Sequence, residues 1–169
     1  NNKFLYAANV ASGTVSVFKI DSVTGKLTSA GPDANSGAAA PNGLFFHPSG
    51  RYLYVTNQGG NSVSAFSVAG DGTLTSVSGS PFSAGTASLL NGIVVHPSGN
   101  FVYVASMGGT GGVVGYSVVS GTGALNLLAG SPYSNTNGGI NNTGDGITIH
   151  PNGQWLYMGL VNQKRVAAY

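Results

Sequence analysis

Short apolar and polar stretches follow each other along the chain in two patterns. Residues 14–20 alternate apolar and polar side chains with a period of two, which predicts a half-buried β-strand. The same alternation recurs at 63–68, 113–118 and 166–169. Nearly continuous apolar runs precede each histidine, at 43–47, 92–96 and 146–150, and such runs are typical of strands buried on both faces. Helical periodicity is absent from the sequence, so we predict an all-β protein.

These strands belong to an internal repeat. A His-Pro-Ser-Gly or His-Pro-Asn-Gly turn begins at His47, His96 and His150, which are 49 and then 54 residues apart. An aromatic residue and a tyrosine two positions later recur after each turn, and the four pairs are Phe4 with Tyr6, Tyr52 with Tyr54, Phe101 with Tyr103, and Trp155 with Tyr157. Each pair points to one face of its strand, and we expect it to fill a seam between repeats. A period of this length is typical of one supersecondary unit per repeat.

Each repeat is predicted to be a four-stranded antiparallel sheet. Thr24-Gly25, Asp71-Gly72 and Thr122-Gly123 predict two-residue hairpins in which glycine supplies a positive φ. A fourth short strand follows and ends at 79–82 in one repeat and at 130–133 in the next. Four-stranded sheets repeated radially are the blades of a β-propeller, with the apolar run as the innermost strand and the Ser-rich strand outermost.

The blade boundaries leave about three and a half blades. We divide the chain into a partial blade at 1–41, blades at 42–90 and 91–144, and a second partial blade at 145–169. Closed propellers have about four to eight blades, and open sheet edges favour aggregation. We therefore expect a fragment of a larger propeller, closed by the remainder of its own chain or by other subunits. A homodimer fits poorly, because the junction would lack an outermost and an innermost strand.

The composition excludes several classes of function. Charged residues make up 6% of the chain, against about 25% in an ordinary soluble domain, and Glu is absent. The net charge of +2 is scattered without a basic stripe, so we expect no nucleic-acid partner. Cysteine is absent, which removes disulfides and thiolate chemistry, and no apolar run approaches the roughly 18 residues of a membrane span. Low charge with many Gly, Ser, Thr and Asn residues favours a secreted, periplasmic or cell-surface protein.

The three histidines are predicted to be structural. His47, His96 and His150 each precede a proline in the same turn of successive blades. A ring of repeats separates equivalent residues, so these side chains would share one local role and would not converge on a metal ion. We predict no metal site and no cofactor.

A more promising set of residues enters the innermost strands. Asn42, Asn91 and Asp145 each stand just before a glycine, where a strand that lines the central channel begins, so we expect them at one mouth of the channel. Loops at the same mouth contribute Asn9 and Asn57, together with Gln58, Met107 and Gln163. The alternative is that Asn and Asp only serve the turn before glycine, which they favour in general.

The repeat resembles a known family through Tyr54-Val55-Thr56-Asn57, the His-Pro-Ser-Gly turns, Thr122-Gly123-Ala124-Leu125 and Gly130-Ser131-Pro132-Tyr133. It is similar to the seven-bladed lactonase superfamily, which includes 6-phosphogluconolactonase-like and muconate-lactonising propellers, and to surface-layer propellers named for a Tyr-Val-Thr-Asn repeat. The resemblance implies a seven-bladed propeller with substrate at the predicted mouth. It does not select a function, since one fold hosts unrelated activities.

Two functions therefore stay open. The first is an exported binding or surface scaffold that presents the polar loops 81–91 and 132–145 to a glycan or protein partner. The second is a lactone hydrolase at the channel mouth, with Asp145 as the base and Asn91 as an oxyanion donor. The resemblance implies Arg and His side chains for a sugar phosphate, and Asn42 and Asn91 stand at those positions.

Two further motifs have a functional and a neutral interpretation. Lys164-Arg165 could bind an anion or could simply be a solvated loop. Asn141-Asn142-Thr143 matches a glycosylation acceptor pattern, which could also arise by chance in a chain rich in Asn and Thr.

Overall fold

The chain forms four successive antiparallel sheets. The computed structural model describes residues 3–108, 112–134, 144–161 and 164–169. Within these residues every strand pairing is antiparallel and no α-helix is present. This confirms the prediction of an all-β propeller built from repeated sheets.

The first two sheets contain nine strands. The first comprises β1 (Phe4–Asn9), β2 (Thr14–Ile20), β3 (Leu27–Ser29) and β4 (Ala34–Asn35). The second comprises β5 (Pro41–Phe46), β6 (Tyr52–Asn57), β7 (Ser62–Val68), β8 (Leu74–Ser76) and β9 (Phe82–Ser83). The strand order is β1-β2-β3 with β4 on β2, and β5-β6-β7-β8 with β9 on β7.

The other two sheets repeat this plan. The third comprises β10 (Ser88–Val95), β11 (Phe101–Gly108), β12 (Gly112–Val118) and β13 (Leu125–Leu127), in that order. The fourth comprises β14 (Gly144–Ile149), β15 (Leu156–Leu160) and β16 (Arg165–Ala168). Strand β1 is therefore the counterpart of β6, β11 and β15. We refer to the four sheets as blades A to D.

The innermost strands differ in burial. Ile93, Val94 and Val95 of β10 are buried, as predicted for a strand covered on both faces. In β5 the Phe45 side chain is 41% exposed, and β14 has no fully buried large side chain. The reason is position: β10 packs against both β5 and β14, whereas among the described strands β5 and β14 each have one innermost neighbour.

The turns between the third and fourth strands differ from the prediction. Gly25, Gly72 and Gly123 do adopt positive φ, of 70°, 91° and 74°. The loops are longer than two residues. The hydrogen bond from Ala69 N to Thr73 O encloses residues 70–72, and the hydrogen bond from Val119 N to Ala124 O encloses residues 120–123. The predicted fourth strand is also divided, since β8 and β9 pair with opposite ends of β7.

Aromatic side chains fill two seams between blades, as predicted. The Tyr6 hydroxyl donates to Gly72 O at 2.9 Å across the A–B seam, and the Tyr54 hydroxyl donates to Gly123 O at 3.1 Å across the B–C seam. A Cβ on Gly72 would lie 2.7 Å from the Phe4 ring, so glycine lets the turn rest on that ring. Trp155 departs from the pattern, because it is 52% exposed on blade D.

The core consists of three clusters, one at each seam. The B–C cluster includes Tyr54, Val63, Val104 and Tyr116, all fully buried. Leu53, Val55 and Phe66 pack against blade A, and Met158 and Leu160 pack against blade C. Blades are therefore held together by apolar burial between neighbouring sheets, and the polar residues at the ends of the innermost strands lie outside these clusters.

Candidate functional site

Asn42, Asn91 and Asp145 each begin a β-bulge in an innermost strand. Pro41 pairs with Asn57 and Leu44 with Val55, so Asn42 and Gly43 together face the single residue Thr56. The same shift occurs between Leu90 and Ile93 and between Gly144 and Ile147. A bulge redirects a side chain and is common beside active sites. The sequence placed all three residues at the strand entry, and Asn42 and Asp145 are the second residues of β5 and β14. Asn91 is instead the fourth residue of β10, and the sequence missed the bulges that orient the three side chains.

The three bulges bring their side chains into one hydrogen-bonded row, which we call the mouth row. The Asn42 Nδ2 atom donates to Asn91 Oδ1 at 3.1 Å, and the Asn91 Nδ2 atom donates to Asp145 Oδ1. Asn42 and Asp145 are exposed, and Asn91 is half-buried. The amide of Asn91 thus accepts a hydrogen bond from one neighbour and donates one to the carboxylate on the other side. The row joins blades B, C and D, although its members lie 49 and 54 residues apart.

The backbone leading into the mouth row is unusual. Ala40 and Leu89, each two residues before an asparagine of the row, have φ values of 52° and 53°. This left-handed region is costly for residues other than glycine, and such conformations cluster at ligand sites. Tertiary bonds hold both segments: Ala40 O accepts from Gln58 N at 2.8 Å, and Leu89 N donates to Asn61 Oδ1 at 3.0 Å.

The glycines that follow the row residues allow the close approach of the blades. A Cβ on Gly43 would lie 3.1 Å from Thr56 Oγ1 and would also collide with the Asn91 carbonyl. A Cβ on Gly92 would lie 2.8 Å from Asp145 O. The contacts with the Asn91 and Asp145 carbonyl oxygens are too short for a Cβ atom, so these positions require glycine if adjacent row residues are to bond.

Asn9 and Asn57, which the sequence proposed as ligand-binding residues, bond within their own blades. The Asn9 Nδ2 atom donates to Ser16 Oγ at 2.7 Å, and the Asn57 Nδ2 atom donates to Ser64 Oγ at 2.7 Å. Asn57 is fully buried, and its Oδ1 has no hydrogen-bond partner among the described residues. Both side chains brace the hairpin between the second and third strands. Their assignment to ligand binding stays a prediction.

Of the other loop residues proposed for the mouth, Met107 contacts the row. Its Sδ atom accepts a hydrogen bond from Asn91 Nδ2 at 3.4 Å. Gln58 is half-buried and lies in the loop after β6. Gln163 and the Asn141-Asn142-Thr143 motif lie outside the described residues.

The histidines connect neighbouring blades at the opposite end of the sheets. His47 Nε2 lies 3.0 Å from Gly99 O, and His96 Nε2 lies 3.1 Å from Gly153 O. In each ring Nδ1 accepts from the backbone N–H two residues later, from Ser49 at 3.1 Å and from Ser98 at 3.0 Å. Because Nδ1 is an acceptor, the proton is on Nε2, which donates across the seam. His47 and His96 thus occupy equivalent structural positions.

Lys164 and Arg165 line a shallow cavity of about 360 Å³ with Asp145. Gly146, Gly159 and Val166 also line this cavity. In blade B the equivalent residues are Thr56 and Val63, and they lie on the face that packs against blade C. The cavity is therefore part of a surface that serves blade packing elsewhere in the protein. The mouth row is the better candidate for a ligand site.

A second cavity, of about 600 Å³, lies at the histidine end of the A–B seam, with Phe4, Tyr6, Phe46 and His47 in its lining. It is larger than the space beside Asp145, but the residues that line it are scaffold residues of the seam. Within the described part of the chain, no three His, Asp or Glu side chains come together in a cluster that could hold a metal ion. No described helix is long and apolar enough to cross a membrane.

Comparisons with known proteins identify the fold family. A family model described as lactonase, 7-bladed beta-propeller matches residues 36–169. A search of curated protein sequences finds no match.

Solved structures share the fold. The chain superposes on a candidate 6-phosphogluconolactonase from Bacteroides fragilis with a TM-score of 0.84 and 24% identity, covering 98% of this chain and 47% of that one. For a candidate 6-phosphogluconolactonase from Bacteroides uniformis the TM-score is 0.81 and the identity 21%, covering 99% of this chain and 47% of that one. For the periplasmic gluconolactonase of Pseudomonas aeruginosa the TM-score is 0.77 and the identity 18%, covering 98% of this chain and 46% of that one.

This chain spans about half the length of these structures. Identities below 25% establish a shared fold and leave the activity open. The family match covers most of the chain, and it agrees with the repeated four-stranded blades and their tyrosine-filled seams. The protein therefore belongs to the lactonase family of seven-bladed β-propellers.

Proposed function

We propose that this propeller hydrolyses a lactone at the mouth row. The observation that carries the proposal is the hydrogen-bonded series Asn42, Asn91 and Asp145, in which an exposed carboxylate accepts from one amide and that amide accepts from a second, on three successive innermost strands. The family match and the fold shared with a gluconolactonase and with candidate 6-phosphogluconolactonases support a cyclic ester as the substrate class.

In this mechanism Asp145 acts as the general base. It accepts a proton from a water molecule while the water oxygen forms a bond to the lactone carbonyl carbon. The tetrahedral intermediate then collapses, the ring C–O bond breaks, and the alkoxide takes the proton back from the Asp145 carboxyl. The product is the open hydroxy acid, and the base returns to its starting state.

The asparagines have separate roles. The amide of Asn91 already donates to Asp145 and to Met107, so Asn91 orients the carboxylate. Asn42 uses one N–H toward Asn91 and is exposed, so its second N–H is the better donor to the developing oxyanion. This revises the sequence-based hypothesis, in which Asn91 was the oxyanion donor.

The test is lactone hydrolysis by the full-length protein, with glucono-1,5-lactone and its 6-phosphate as probes and the spontaneous rate subtracted. We expect Asp145→Asn to lower kcat by at least about 100-fold, since a positioned base contributes 10²–10⁴-fold. Asp71→Asn is the matched control, because Asp71 is an exposed turn residue at the other end of the sheets. Unchanged hydrolysis in Asp145→Asn would contradict the assignment of the base.

A binding scaffold for a glycan is the second candidate. Asn42 and Asn91 present amides, which pair with sugar hydroxyls as both donors and acceptors. This candidate predicts glycan binding without turnover. A glycan array that shows binding lost in Asn42→Ala, in a protein that hydrolyses neither lactone, would favour it over the hydrolase.

A further inference from the structure

The hydroxyl of Thr56 links two of the bulges that carry the mouth row. Thr56 is fully buried in the B–C seam. Its Oγ1 accepts from Gly43 N at 2.8 Å, in the bulge of its own blade. It lies 2.7 Å from Asn91 O, to which it donates across the seam. One side chain therefore bonds to the backbone beside Asn42 and to the backbone of Asn91 itself.

This bridge occurs once among the described blades. The residues that face the other two bulges are Ala105 in blade C and Gly159 in blade D, and neither has a hydroxyl. Apolar packing is sufficient at the C–D seam, because Ala105 is fully buried there beside Met158. A buried hydroxyl is costly unless it is bonded, and at position 56 the bonds to Gly43 N and Asn91 O offset that cost, so the hydroxyl is retained together with the bridge that it forms.

We infer that Thr56 is a positioning residue for the mouth row, which sets the spacing between the Asn42 and Asn91 amides. The Asn91 carbonyl and the Gly43 amide are both bonded to one oxygen atom, so the two bulges cannot slide past each other without breaking a buried bond. The inference rests on the proposed function where it concerns catalysis, and on the described contacts alone where it concerns geometry.

The experiment compares three variants of the full-length protein. Thr56→Val removes the hydroxyl and keeps the shape, and Thr56→Ser keeps the hydroxyl. Val63→Ala is the matched control, because Val63 pairs with Thr56 in the sheet, lies fully buried in the same seam and has no hydroxyl. Thr56→Ala, which copies the residue of blade C, replaces Thr56→Val if the latter does not fold.

The first measurement is the NMR position of the Asn42 and Asn91 side-chain amides, assigned with Asn42→Asp and Asn91→Asp. We expect both signals to shift in Thr56→Val, to return toward wild-type positions in Thr56→Ser, and to stay in place in Val63→Ala despite its lower melting temperature. Unmoved signals in Thr56→Val, or an equal shift in Val63→Ala, would overturn the inference.

The second measurement is lactone hydrolysis. We expect kcat to fall about tenfold in Thr56→Val with a smaller change in KM, because misplacement of the row affects the reacting geometry more than binding. Thr56→Ser should recover most of the loss. If wild-type protein hydrolyses no lactone, the proposed function fails, and the amide signals alone decide the positioning role.

Discussion

The two ends of the sheets use the repeat in different ways. At the histidine end, His47 donates a hydrogen bond to Gly99 O and His96 donates one to Gly153 O, so the repeated residue has the same structural role in both blades. At the mouth end the bulge is repeated in three blades, but the residue it presents changes from Asn to Asp. A repeated side chain with repeated bonds indicates scaffold. A repeated backbone with a changing side chain indicates a place where individual residues can acquire separate roles.

After Asp145→Asn, we expect the largest effects from alanine substitutions at Gly92, which lies at the mouth end, and at Gly99, which lies at the histidine end. Gly92→Ala places a Cβ 2.8 Å from Asp145 O, and Gly99→Ala places one 2.5 Å from His47 Nε2 at a φ of 79°. We expect each to cost about 1–3 kcal/mol of unfolding free energy through overpacking or strain. Denaturant unfolding and lactone hydrolysis should be measured on both variants.

The two glycine variants should differ in activity. Gly92→Ala separates Asn91 from Asp145, so its kcat should fall well beyond the effect of reduced stability. Gly99→Ala should keep wild-type kcat at temperatures where it is folded. Equal losses of activity at both ends would remove the distinction between scaffold and site.

The bonds made by the histidines should have a smaller effect. His96→Ala removes the bond to Gly153 O, and we expect it to destabilise the protein by about 1.5 kcal/mol because a half-buried carbonyl loses its donor. Ser98→Ala is the matched control, since its hydroxyl bonds to His96 Nδ1 within one exposed turn. Thermal unfolding should show a lower melting temperature for His96→Ala than for Ser98→Ala, with hydrolysis unchanged in both.

The seam tyrosines predict a loss of stability in alkali. Burial raises the pKa of the Tyr54 and Tyr116 phenols above the ordinary value of 10.0. The folded state therefore keeps them neutral while the unfolded chain ionises, so stability is complete below about pH 10 and decreases as the pH rises further. Unfolding experiments between pH 8 and about pH 11 should show this decrease begin near pH 10, because its onset is set by the pKa of the phenols in the unfolded chain.

Tyr54→Phe measures how much of this alkaline loss of stability, the smallest of the expected effects, comes from one phenol. The variant loses the bond to Gly123 O, so we expect it to be less stable at neutral pH by about 1 kcal/mol. Its further loss in alkali should be shallower than that of wild type, because one titrating phenol is gone. An identical alkaline slope in the two proteins would show that Tyr54 does not contribute to the pH dependence.

Much of the fold was predictable from local patterns. The strand at Thr14–Ile20 agrees with its alternating sequence to the residue, and the turn glycines 25, 72 and 123 adopt the positive φ that was expected. Loop length was wrong, because the backbone bonds that close these turns depend on how far the strands continue to pair. The exposure of Phe45 was also missed, since burial of an apolar strand depends on its neighbours.

The sequence by itself determined the repeat, the alternating strands, the positive φ of the turn glycines and the positions of Asn42 and Asp145 near the start of their strands, because these depend on side-chain periodicity and on the φ preference of single residues. The tertiary structure alone decided that the three side chains bond in a row, that Thr56 joins two bulges, and that His47 and His96 each donate to the next blade. Those contacts join residues 35 to 57 positions apart. Their distances are set by how sheets pack on one another, which a pattern within one strand does not encode.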